Sequence, residues 1–101
     1  MLKILTDTAP PTLADLRQRM QDLYARLTLV ERAVHGNEDP AWIAFARLMT
    51  ADLDAAEEAL LQADLARTGG DTPRAKKRLH VAWNRLQEAG TRLGEWEADH
   101  E

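Results

Sequence analysis

Apolar residues recur along this chain at alternating steps of three and four, the spacing that places them on one stripe of an α-helix. The first series reads Leu13, Leu16, Met20, Leu23, Leu27, Val30 and Val34. The second reads Trp42, Ala46, Met49, Leu53, Ala56, Leu60 and Ala63, and the third Ala75, Leu79, Ala82, Leu86, Ala89, Leu93 and Trp96. No stretch supports a strand in the same way. Two clusters of helix-stopping and helix-starting residues, "HGNEDP" at 35–40 and "TGGDTP" at 68–73, separate the three series. The pattern predicts helices at about 12–35, 40–67 and 73–98, preceded by an N-terminal extension over 1–11. Asp39 before Pro40 and Thr72 before Pro73 suit an N-cap and first helical residue. Thr12 with Asp15 resembles a capping box that uses the shorter acid.

Register follows from the second break. With the turn centred on Asp71, antiparallel second and third helices oppose Ala63 to Leu79, Leu60 to Ala82, Ala56 to Leu86, Leu53 to Ala89, Met49 to Leu93 and Ala46 to Trp96. Each layer pairs a large side chain with an alanine, which lets the two axes approach closely. Asp52 is then brought towards Arg92, and Asp64 towards Lys76. The first helix pairs with the second in the same sense, Leu13 facing Ala63 and Val30 facing Ala46. The expected fold is all-α: one domain over 1–101, an antiparallel up-down-up three-helix bundle with coiled-coil-like, alanine-rich seams. Leu61 and Leu65 fall off the seam near the start of the chain, where Leu2, Ile4 and Leu5 could fold back over them. Leu29, Ile43, Phe45, Leu48 and Val81 have no obvious place in the seams.

Composition narrows the class of function. The 101 residues include no cysteine, which removes disulfides and thiolate metal ligation, and no apolar run approaches the roughly 20 residues of a membrane-spanning helix. A cytoplasmic protein is expected. The net charge of −4 argues against general binding to a phosphate backbone. A local basic patch remains at Arg74, Lys76, Lys77 and Arg78, at a helix N-terminus where the helix dipole disfavours cations. The acidic end of the second helix, through Asp64 and Asp71, is the expected intramolecular complement, and nucleic acid is the alternative.

Sites for chemistry are sparse. Glu31 with His35, and Glu97 with His100, fall at one end of the folded chain beside Glu38 and Asp39. Bundle di-metal sites need more inward-facing carboxylates than this, so terminal solvated charge is the expected reading and no metal or other cofactor is implied. Serine is absent, no nucleophile lies in a recognisable elbow, and "TGGDTP" lacks the lysine and spacing of a phosphate-cradling loop. An enzyme is therefore not expected, a metal-dependent bundle enzyme being the remote alternative.

The third helix carries the strongest recognition signal in the sequence. Trp83, Gln87, Gly90 and Gly94 share a face beside the seam, and Arg78, Arg85 and Arg92 repeat every seven residues along another. An aromatic beside a glycine-lined groove suits a protein contact or the packing of the first helix. The two glycines, each unfavourable by about 1 kcal/mol in a helix interior, would admit a bulky group such as Met20, Tyr24 or a partner's side chain. The expected function is a small helical interaction module of adaptor, chaperone-like or phage and mobile-element inhibitor type, acting on another protein or as a homodimer. A regulatory protein using the basic face of the third helix for nucleic acid is the alternative.

Overall fold

The computed structural model describes residues 12–33 and 39–99, and contains α1 (Leu13–Ala33), α2 (Pro40–Thr68) and α3 (Thr72–Asp99). No strand occurs among the described residues. Each helix start has an identifiable chemical cause. At α1 the Thr12 N–H donates to the Asp15 carboxylate while the Asp15 N–H donates to the Thr12 hydroxyl, both at 3.1 Å, so the short-acid capping box forms reciprocally. At α2 the Asp39 carboxylate accepts the Ala41 N–H at 2.9 Å, and Pro40 occupies a first-turn position where its missing N–H is not needed.

The α2–α3 connection begins α3 one residue earlier than the sequence suggests. The left-handed residue is Gly70, with φ of 81°, and its N–H reaches the Arg67 carbonyl while the Asp71 N–H reaches that of Ala66. This is a Schellman ending, and it needs a residue without a Cβ at position 70. Asp71 emerges already aligned with α3, and its carboxylate caps the Arg74 N–H at 3.1 Å. Asp71 is therefore the N-cap, and Thr72, which the sequence pattern suggests for that role, is the first helical residue. The first loop lies largely outside the described residues, and so do Gly36 and Val34.

Alanine–leucine alternation fills the α2–α3 interface. Met49, Leu53, Ala56, Leu60 and Ala63 on α2, with Ala75, Ala82, Leu86, Ala89 and Leu93 on α3, are all buried. The buried face of α2 is wider than one seam and includes Phe45, Asp52, Ala59 and Ala66 at seven-residue intervals, on the flank where Asp52 meets Arg85 and Arg92 of α3 and Phe45 meets Trp96. Phe45 closes one end of the bundle, its ring centroid 4.6 Å from that of Trp96 and 5.7 Å from that of Trp42. Trp42 and Trp96 meet edge to face at 5.6 Å. Such aromatic pairs add about 0.5–1.5 kcal/mol each beyond burial. Val81 is half-buried against the core, whereas Leu29, Ile43 and Leu48 are exposed.

Helix α1 lies over the α2–α3 groove with Leu16 and Leu23 buried. Leu13, Met20, Leu27 and Val30 pack partly against the same core. Its contacts with α3 advance in the same direction along both helices, Arg19 to Gln87 and then Arg26 to Glu97. Those with α2 run oppositely, with Arg17 at Asp64 and Tyr24 within the electrostatic reach of Glu57 and Asp54. The topology is up-down-up.

Candidate interaction surfaces

On α3 the arginine repeat meets an acid of the α2 core face. Asp52 has a side chain only 9% exposed, and Arg92 Nη1 bonds its Oδ2 while Arg85 Nη1 lies 3.5 Å from its Oδ1. The Asp52–Arg92 pairing is the one that the seam register predicts. Arg85 also reaches Glu88 at 4.0 Å. Two of the three arginines thus hold the α2–α3 interface, and Arg78, half-buried, has no ion pair among the described residues.

Trp83, Gln87 and Gly90 come together as a face directed at α1. The Arg19 guanidinium lies 5.8 Å from the Trp83 ring centroid, and its Nη2 donates to Gln87 Oε1 at 2.7 Å. A Cβ at Gly90 would stand 3.6 Å from Arg19 Nη2 and 3.9 Å from Leu23 Cδ2, both ordinary contacts. At Gly94 such an atom would meet nothing within 4 Å. The neighbours at Gly90 are thus Arg19 and Leu23 rather than the Met20 or Tyr24 that the sequence suggests, and the space at Gly94 is open. One turn further on, Arg26 clasps Glu97 with Nη2 at 2.5 Å and Nε at 3.4 Å from the two carboxylate oxygens.

The basic start of α3 has a different environment from the one its sequence suggests. Asp64 is engaged by Arg67 at 2.9 Å and Arg17 at 3.6 Å, because α1 delivers its own cation to that end of α2. Asp71 is committed to capping. Arg74, Lys76 and Lys77 are exposed, and no ion pair joins them or Arg78 among the described residues. Of the groups weighed for metal binding, Glu97 is held by Arg26, and no cluster of three potential ligands occurs among the described residues. His35, Glu38 and His100 lie outside those residues, as do Leu2, Ile4 and Leu5.

The least satisfied surface is the outer side of α2 beside α1. Two adjoining depressions share Asp54 as a wall. One of about 430 Å³ is lined by Met20, Leu60, Leu61, Glu57 and Glu58, and the other, of about 590 Å³, by Trp42, Ile43, Ala46 and Arg47. Leu61 is 52% exposed, and Leu65 on the next turn 63%. Asp54 and Glu57 are exposed and make no ion pair among the described residues. Their charge reaches the half-exposed Tyr24, whose pKa is raised above 10.0 by burial first, then by Glu57 and Asp54, since both effects oppose a phenolate.

No protein-family model, curated protein or solved structure matches this chain. The sequence carries a signal for this groove that its apolar seams do not reveal. Ile43, Arg47, Thr50, Asp54, Glu57 and Leu61 repeat at alternating steps of four and three, one residue beyond the buried seam. Its mixed polarity hides that strip among ordinary solvated positions. No described helix is long and apolar enough to cross a membrane.

Proposed function

We propose that this chain is a small helical protein-interaction module that acts by binding another protein through the outer groove between α1 and α2. The observation that carries this reading is the unpartnered strip on α2, where Ile43 and Leu61 stay exposed at either end of two adjoining depressions. Scattered apolar residues are normal on a surface, but these two share one helix face and each borders a depression. The corresponding features of α3 are less available for a partner, since Trp83, Gln87 and Gly90 face α1 and Arg85 and Arg92 hold Asp52. An adaptor, a chaperone-like protein and a small inhibitor all act in this way.

The test compares the intact chain with an Ile43→Asp/Leu61→Asp variant as baits in a lysate of the native host. Both substitutions are at exposed positions, so the helical circular dichroism should be unchanged. A specific partner should be recovered on the intact chain and depleted about tenfold or more on the variant, a loss equivalent to about 1.4 kcal/mol of binding. Equal recovery on both baits would remove the groove from the interaction.

A second reading rests on the unpaired cations at the start of α3. Arg74, Lys76 and Lys77 would serve a regulatory protein that touches nucleic acid through a few phosphates. Binding to duplex or single-stranded DNA or RNA at low salt should then weaken steeply with added salt and disappear in Lys76→Glu/Lys77→Glu. A mobility-shift experiment with no complex at low salt eliminates it.

A further inference from the structure

We infer that the α1–α2 groove receives a cationic amphipathic helix from a partner protein, with apolar side chains seated near Ile43 and Leu61 and arginine or lysine opposite Asp54 and Glu57. The inference rests on the interaction-module reading and names the class of partner. Three observations support it.

The first is dimension. From Ile43 to Leu61 the strip runs along a single continuous helix, a length of about 27 Å at 1.5 Å per residue, which matches a partner helix of about 18 residues. The second is periodicity. Ile43, Arg47, Thr50, Asp54, Glu57 and Leu61 keep a four-three alternation on one face of α2, apolar at its two ends and polar between, and α1 supplies one wall through Arg17, Met20 and Gln21.

The third is charge. Asp54 and Glu57 lack ion-pair partners among the described residues, and Glu58 beside them is bonded to the neutral Gln62 amide at 2.9 Å. Arg17, which lines the same depression, is already directed at Asp64, and Arg47 stands nearer the Ile43 end. The middle of the groove is therefore negative. A second copy meeting antiparallel by the same strip would offer Arg47 to Glu57 but only Thr50 to Asp54, and a phosphate backbone or anionic lipid surface would be repelled. A cationic helix satisfies the carboxylates and covers the leucine and isoleucine at once.

The experiment uses the purified intact chain and three synthetic helical peptides of about 18 residues, the length matched to the groove. All carry the same leucine strip at three-four spacing, with arginine, glutamine or glutamate beside it. Titration calorimetry at low salt should give saturable binding of the arginine peptide, weaker binding of the glutamine peptide and none of the glutamate peptide. Asp54→Asn/Glu57→Gln should weaken the arginine peptide about tenfold while leaving the melting temperature unchanged, since neither carboxylate holds an ion pair. Added salt should weaken it as well.

Equal binding of all three peptides, or an unchanged affinity in the neutralised variant, overturns the cationic partner. The interaction-module reading would survive that result, because the capture comparison with Ile43→Asp/Leu61→Asp tests the apolar ends of the groove and leaves Asp54 and Glu57 in place. Failure of the arginine peptide to bind also overturns the inference. So does a doubled mass of the pure chain that is lost in Ile43→Asp/Leu61→Asp, which would give the groove to a second copy.

Discussion

Gly90 and Gly94 stand in the interior of α3 with negative φ and no steric need for a missing Cβ. Gly90 meets Arg19 and Leu23 at ordinary distances, and Gly94 meets nothing. Alanine at either position should therefore stabilise the fold, by about 0.5–1 kcal/mol each, through reduced freedom of the unfolded chain. Urea denaturation of Gly90→Ala and Gly94→Ala reads this directly, and a loss of stability would show that α1 needs the space. The glycines were visible in the sequence as an oddity, but their neighbours were not. Which side chains reach Gly90 depends on the rotation of α1 about its own axis, and the three-four pattern fixes that rotation only to within a residue. The N-cap of α3 shows a related limit. Threonine before proline is a good local signal, yet the backbone hydrogen bonds closing the α2 end deliver Asp71 to the capping position first.

Between elements, the α2–α3 seam was readable because one helix offers alanine wherever the other offers leucine or methionine. The same register placed Asp52 opposite Arg92, as the structure has it. It did not place Phe45 or Asp52 in the core, because a seam drawn with one residue per layer ignores its flanking positions, which Trp96, Arg85 and Arg92 of α3 reach with long side chains. Nor did it find the partners of Asp64, which come from α1 and from the next turn of α2. The Asp52 cluster makes a testable contribution to this interface. Asp52→Ala should cost about 1–3 kcal/mol, below the roughly 3–5 kcal/mol of a fully buried pair, because Arg85 and Arg92 are 48% and 34% exposed and can rehydrate. Asp52→Leu, which fills the position with apolar volume, should recover most of that loss. Chemical denaturation of both variants separates the charge from the packing; equal losses would mean that the ion pairs contribute more than the filled space.

Across the molecule, among the described residues, the unpaired carboxylates Asp54 and Glu57 lie in the middle of the α1–α2 groove and the unpaired cations Arg74, Lys76 and Lys77 at the start of α3. This arrangement was only partly legible, since composition gives the acidic balance while the geometry of three helices decides which charges neutralise one another. Tyr24 reports on the negative side and is the single tyrosine of the chain. Its absorbance near 295 nm should titrate above the ordinary value of 10.0, and Asp54→Asn/Glu57→Gln should bring the midpoint only part of the way down, because burial is the larger cause. The folded chain holds this proton more tightly than the unfolded one. The associated stability is therefore complete below a pH of about 10 and is lost as the pH rises through the folded value. Tyr24→Phe should flatten the alkaline decline in urea midpoint relative to the native chain, and identical declines would mean that Tyr24 is not its source. The short connection of Gly69, Gly70 and Asp71 also bears on the order of events during folding. It joins two long helices whose contacts nearest the turn are close in sequence, so their zippering requires little loop closure, whereas α1 must find a surface made by both. The hairpin can therefore form the nucleus, with α1, and the groove it walls, completed last.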